Sequence, residues 1–322
     1  MSVSANQITI AVPIYKRRQF VKQAVSSALD QSVPVRVMVV EDPGPDPTLE
    51  SLVKGEFGPR IEYVKSPKWH GQFGNLNLCL DVCATEWISI LHDDDYLAPG
   101  FVEAMIDLAR HAPGEALYRG QTVFVDEHGQ PTGEIPLRPV HGDWQRIGLR
   151  DIVYGPFPFP GQLFKVSTAK ELGGFRESSC FCGDWEMWAK LIARGGAAET
   201  AIVVAYNRCH ESWDRVTNAA VRNGRHISTT FVQQKRILAL LPAGSKIRFD
   251  RVAFQKQNPM SIRFLLRHGA SLRPRLLAYH VRLLLLSRPP HWQYAVYQQC
   301  ARIGGAGFVR LSSRLWNRLH RT

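Results

Sequence analysis

Apolar and polar positions alternate along this chain in blocks, each with the length of a strand or the period of a helix. Residues 8–14 form an apolar run of strand length. In 18–29, Phe20, Val21, Ala24, Val25, Ala28 and Leu29 recur at helical spacing and share one face. A second strand is predicted over 35–40, ended by the turn-rich stretch Glu41-Asp42-Pro43-Gly44-Pro45-Asp46-Pro47. The pattern continues with a short helix near 49–54, a strand at 61–64, a helix at 75–83, the apolar run 87–91 and a helix at 101–109. Such alternation predicts an α/β fold with a parallel, doubly wound sheet over the first hundred residues.

The rhythm then loosens. A strand over 117–125 precedes a turn at 127–130, and 155–161 is irregular and rich in Pro and Gly. A strand at 162–166, helices at 168–172 and 184–193, and a strand at 201–206 follow. Past Trp213 the character changes to basic helical segments at 227–241, 260–267, 276–286 and 293–319.

Charge sharpens this division. Residues 225–322 hold eighteen Lys or Arg and one acid, Asp250, whereas the first 224 residues hold 22 basic and 27 acidic residues. Such asymmetry predicts a basic module that meets a polyanion or an anionic surface. The interleaved Val281, Leu283–Leu286, Trp292, Tyr294 and Tyr297 suggest amphipathic helices on an anionic membrane; a helical subdomain packed on the core is the plainer alternative. There is no nucleic-acid recognition motif, so no nucleic-acid partner is expected. No apolar run approaches the roughly 20 residues of a membrane-spanning helix. The start has no basic segment followed by a long apolar one, so the expectation is a cytoplasmic protein, peripheral on the membrane. Six cysteines fit a reducing compartment.

The densest chemistry lies directly after the run 87–91, where Asp93, Asp94 and Asp95 stand in succession. Three carboxylates at a strand's carboxyl end crowd negative charge where open α/β sheets bind ligands. Each raises its neighbour's pKa, and a hard divalent cation such as Mg²⁺ or Mn²⁺ would relieve the repulsion while bridging to phosphates. A solvated turn before the next helix is the bland alternative.

Several further segments stand in a telling order. They are Ile10-Ala11-Val12-Pro13-Ile14-Tyr15-Lys16-Arg17, Val39-Val40-Glu41-Asp42-Pro43-Gly44, Gly71 and Asn77, Leu91-His92-Asp93-Asp94-Asp95, Leu172-Gly173-Gly174-Phe175, Gly183-Asp184-Trp185-Glu186 and Arg208-Cys209-His210-Glu211-Ser212. With these motifs the first 215 residues resemble the inverting family 2 glycosyltransferases of the GT-A fold, of the bacterial polysaccharide and lipopolysaccharide type. The resemblance implies a catalytic domain over 1–215 and a basic helical extension over 216–322. It implies Asp184 as the catalytic base, Pro13, Tyr15, Asp42, Asn77 and Asp93 around a nucleotide-sugar donor (UDP- or dTDP-sugar favoured), and Asp94, Asp95 and His210 at a Mn²⁺ or Mg²⁺ ion. The expected acceptor is a glycan hydroxyl, lipid-linked if the tail binds membrane.

A plainer role for Asp184 is a helix cap, and for Asp42 a turn cap. His92, Gly183, Lys16 and Glu41 depart from the family's usual residues. Two rival functions stay open. A nucleotidyltransferase would share the sheet but want a Gly-rich phosphate loop after the first strand, which is absent. A non-catalytic polyanion binder would have no use for Asp94 and Asp184.

Overall fold

The computed structural model describes residues 3–132, 137–153, 155–179, 182–209, 225–242, 274–286 and 292–319, together with Ile262, Leu265, Leu266 and Ala270. The chain divides into two units. The first comprises 1–152, 156–179 and 183–210, and the second 153–155, 180–182 and 211–322.

The first unit is built on a sheet of strand order β3-β2-β1-β4-β8-β6-β9-β5, with β7 also paired to β9. Strands β1 (Ile8–Ile14), β2 (Arg36–Glu41), β3 (Glu62–Lys65) and β4 (Trp87–Ile90) run parallel, as the alternation of strand and helix predicts. Every residue of β1 is buried. Helices cover both faces of such a sheet, which is why its strands are continuous apolar runs. The one hydroxyl side chain in β1, Thr9, shares a 2.7 Å hydrogen bond with Thr85.

Helices α1 (Val21–Leu29), α2 (Leu49–Phe57), α3 (Gly71–Val82) and α4 (Phe101–His111) make the crossovers. The apolar faces of α1, α2 and α4, among them Val21, Val25, Val53, Phe101 and Met105, join β1 and β2 in one core.

Beyond α4 the sheet becomes mixed. β5 (Tyr96–Leu97) and β7 (Trp144–Ile147) lie antiparallel to β9 (Ala197–Arg208), and β8 (Gln162–Lys165) lies antiparallel to both β4 and β6 (Leu117–Val125). The sequence pattern misses β5, β7 and α5 (Leu149–Ile152), and starts α3 four residues late. α6 (Val166–Glu171) and α7 (Gly183–Gly195) complete this unit.

In the second unit the described helices are α8 (Arg225–Leu238), α9 (Pro274–Leu286) and α10 (Trp292–Leu319), the last broken at Gly305, whose φ is 52°. Leu277, Leu284, Ala301 and Val309 form a core of its own with Ile262 and Leu265. No helix among the described residues is long and apolar enough to cross a membrane.

Candidate active site

The parallel strands deliver their carboxyl ends to one edge. There the Asp42 N–H bonds Ile14 O at 2.9 Å and the Leu91 N–H bonds Ala11 O at 2.9 Å, so the segments after β1, β2 and β4 meet. Pro13 is buried opposite Val40 in the β1–β2 register, and Tyr15 is exposed just beyond. The loop after β2 crosses the Tyr15 backbone so closely that a Cβ on Gly44 would lie 1.9 Å from Tyr15 O, and only glycine fits. Pro13, Tyr15 and Asp42 are thus brought together, as the sequence suggests.

Asp42 is almost completely buried and caps α3. Its Oδ1 accepts the His70 N–H at 2.8 Å, and its Oδ2 accepts the Gly71 N–H at 2.9 Å. The cap lies on α3 and not on the local Pro-Gly turn, and a carboxylate is favoured at a helix N-terminus. Asn77 serves the fold itself. Its Nδ2 donates to Phe175 O at 2.9 Å and its Oδ1 accepts the Phe175 N–H at 2.7 Å, so the amide braces the Gly173-Gly174-Phe175 turn against α3.

The acidic turn after β4 is held from three directions. The Asp95 N–H closes it on His92 O at 3.1 Å. Asp95, only 2% exposed, accepts from Asn207 Nδ2 at 3.1 Å and from the Arg208 N–H at 2.8 Å, which locks the turn to the end of β9. Arg208 is itself buried. Its guanidinium donates to Asp94 O, Glu127 O and Gln23 Oε1 and lies 4.3 Å from the Phe20 ring, so it is a scaffold cation rather than a phosphate contact. Arg17 Nη1 sits 2.8 Å from Asp93 Oδ1 and 2.6 Å from Asp94 Oδ2.

Metal-capable atoms of His92, Asp94 and Asp95 all lie within 4.8 Å of one another. An imidazole and two carboxylates suit Mn²⁺, and a cationic group already resting on Asp94 shows that this oxygen accepts positive charge, so the residues fit a divalent ion. His92 is thereby a candidate ligand in its own right, where the sequence reads only a departure from pattern. His210, the other histidine expected here, lies outside the described residues.

Asp184 stands in the first turn of α7. Burial pushes its carboxyl pKa up to about 6, against a smaller lowering by the backbone N–H groups of Trp185 and Asp184. The chain enters α7 through Cys182, a non-glycine residue with φ of 54° in the left-handed region. Aromatic packing links α7 to the acidic turn. The His92 ring stacks on Phe159 at 3.9 Å, Phe159 meets Trp188 at 5.8 Å, and Trp188 lies one helical turn after Asp184. A carboxyl of raised pKa on a helix linked to the acidic turn can hold or take a proton there.

Residues 9–150 match Glycosyl transferase family 2. An uncharacterized glycosyltransferase of Rickettsia conorii is 25% identical over 194 residues, 58% of this chain and 31% of that one. The chain therefore spans about a third of the length of that relative. The Campylobacter jejuni GalNAc(5)-diNAcBac-PP-undecaprenol beta-1,3-glucosyltransferase is 22% identical over 236 residues, 72% of this chain and 74% of that one. Among solved structures, S. aureus TarS 1–349 in complex with UDP-GlcNAc superposes with a TM-score of 0.63 at 13% identity, over 97% of this chain and 92% of that one. The mannosyltransferase PcManGT from Pyrobaculum calidifontis, in complex with GDP-Man and Mn²⁺, does so with a TM-score of 0.54 at 15% identity, over 98% and 88%. At these identities the likeness is one of fold.

Proposed function

We propose that this chain, whose residues 9–150 match Glycosyl transferase family 2, moves a sugar from a nucleotide-sugar donor to a hydroxyl of a glycan, inverting the anomeric carbon with the help of Mn²⁺ or Mg²⁺. The observation that carries the reading is the pairing of an acidic turn, His92 to Asp95, with a raised-pKa aspartate on the helix linked to it through Phe159. In the reaction the acceptor oxygen bonds to the anomeric carbon as the bond from that carbon to the diphosphate breaks. The bonding pair leaves with the nucleoside diphosphate, and the acceptor's proton passes to the Asp184 carboxylate. Attack from the face opposite the leaving group gives inversion.

Asp94, with His92 and Asp95, would hold the cation, and His210 is a further candidate. Bound there, a divalent ion supplies charge neutralisation for the departing diphosphate. Tyr15, Pro13 and Asp42 frame the nucleotide. Asp42 Oδ2 takes both the His70 and Gly71 N–H groups, but Oδ1 takes only the His70 N–H and keeps a second lone pair; a carboxylate accepts but does not donate, which favours the imide N–H of a UDP- or dTDP-sugar. Polysaccharide synthesis is the natural setting, given a relative named chondroitin synthase from Escherichia coli, 24% identical over 203 residues. A lipid-linked acceptor on the cytoplasmic face is supported by the basic helices after residue 225 and by the name of the Campylobacter relative.

The test is Asp184→Asn. The amide keeps shape and capping ability but cannot take the proton, so UDP binding should persist while transfer to an acceptor falls by about 10²–10⁴-fold. A variant within a few-fold of normal turnover would remove Asp184 as the base.

A further inference from the structure

The acidic turn already carries a cation supplied by the chain. One guanidinium nitrogen, Arg17 Nη1, bridges Asp93 Oδ1 at 2.8 Å and Asp94 Oδ2 at 2.6 Å, with the three side chains 19%, 13% and 12% exposed. Arg17 stands three residues past the end of β1, in the segment that also carries Tyr15. We propose that Arg17 is a built-in counter-ion of this turn, which yields Asp94 to the divalent cation and then pairs with the donor's diphosphate. The inference rests on reading the turn as the cation site and adds a residue that couples cation to donor.

The argument is electrostatic. Carboxylates side by side repel, and a guanidinium between them lowers that repulsion. A cation bound to Asp94 Oδ2 must share that oxygen with a nitrogen 2.6 Å away, and two positive charges so close repel strongly where water is scarce. Binding of the ion alone therefore carries the cost of expelling Arg17 with no new partner for it. A nucleoside diphosphate changes this, because its oxygens offer the expelled guanidinium a planar, two-point match. Cation and donor should thus bind cooperatively, and by linkage each must raise the other's affinity by the same factor.

The experiment uses the full chain. Mn²⁺ binding is followed by electron paramagnetic resonance of the free ion, first alone and then with UDP. The expected result for Arg17→Gln is opposite in sign on the two axes. Mn²⁺ alone binds about tenfold tighter than to the unaltered protein, while the factor by which UDP enhances Mn²⁺ binding shrinks by about tenfold. Arg17→Lys, which keeps the charge but not the fork, should fall between the two. Equal or weaker Mn²⁺ affinity in Arg17→Gln overturns the proposal, since an arginine with only a structural role would weaken both. Tighter Mn²⁺ with undiminished enhancement overturns the diphosphate half of it. If UDP binds the unaltered protein equally well with Mn²⁺ and with chelator, the cation-site reading itself fails, whatever Arg17→Gln does.

Discussion

At the scale of single residues, the two ionisable groups that burial perturbs most usefully make different predictions. Asp184 has a folded-state pKa near 6 against 3.8 for an ordinary aspartate, so the folded chain holds its proton more firmly than the unfolded chain. Stability from this group is fully present below pH 3.8 and is lost as pH rises to about 6. At pH 8, Asp184→Asn should therefore raise stability by on the order of 1–3 kcal/mol while destroying transfer. Denaturant melts at pH 8 and at pH 4 check this, because the gain should vanish at the lower pH. The same shift puts the acid limb of a kcat/KM profile near pH 6.

Arg119 makes the second case. Its counter-charge, Glu199, is fully buried and takes Arg119 on one oxygen, and on the other takes Arg138 at 2.9 Å and Gln145 at 2.6 Å. Burial pulls the Arg119 pKa down to about 10 even with Glu199 beside it. Glu199→Gln leaves that cation without its counter-charge and should cost about 3–5 kcal/mol, measured by urea unfolding. A loss below 1 kcal/mol would mean that the cluster is hydrated.

Legibility at this scale follows chain distance. Asp93 to Asp95 are visible because they are adjacent and follow an apolar run. Arg17 is not, because its partners lie 76 and 77 positions away and nothing local marks the pairing. Asn77 looks like a donor ligand by motif, yet its partner Phe175 is 98 positions distant.

Among elements, strands with continuous burial are the ones the pattern places well. β1 has the bounds that its apolar run predicts, and β6 has its expected bounds although Arg119, Gln121 and Thr122 interrupt its apolar residues. β7, by contrast, is a polar, half-exposed edge strand of four residues, and β5 has only two; neither leaves a periodic signal. α3 begins early because Asp42, in the loop after β2, caps it at Gly71.

The brace between α3 and the turn before α7 is a property of elements. Asn77→Ala removes both hydrogen bonds to the Phe175 backbone and should cost about 1–3 kcal/mol. Gly174→Ala should do similar harm from the other side, since φ is 67° and a Cβ would stand 2.5 Å from Asn77 Oδ1. Thermal unfolding of both variants checks this, and a melting temperature unchanged in both would argue that the brace carries little.

For the whole molecule, the division of charge legible in the composition acquires a surface in the second unit. On α10, Val296 and Ile303 are 52% and 88% exposed one face apart by seven residues, and past Gly305 Leu311 and Leu315 are 59% and 50% exposed one turn apart. Exposed Arg302 and Arg314 flank them. On an anionic membrane each basic residue near the surface contributes about 1 kcal/mol. Full-length protein should therefore sediment with phosphatidylglycerol vesicles at low salt. It should release as the Debye length shrinks from about 10 Å at 0.1 M salt to about 3 Å at 1 M. Ile303→Asp with Leu315→Asp should weaken the binding, and indifference to vesicles at low salt would leave the tail a packed subdomain.

Binding of a nucleoside diphosphate to the acidic turn after β4 through a divalent cation is read by the melting temperature of the full chain titrated with UDP, in Mn²⁺ and in excess chelator, for the unaltered protein and for Asp94→Ala. Ligand at a hundredfold excess over its Kd adds about 2.7 kcal/mol to the folded state. The account predicts a rise with UDP and Mn²⁺ together, little or none with chelator, and loss of the metal-dependent part in Asp94→Ala. An equal rise with and without Mn²⁺, or one that Asp94→Ala leaves intact, would contradict it.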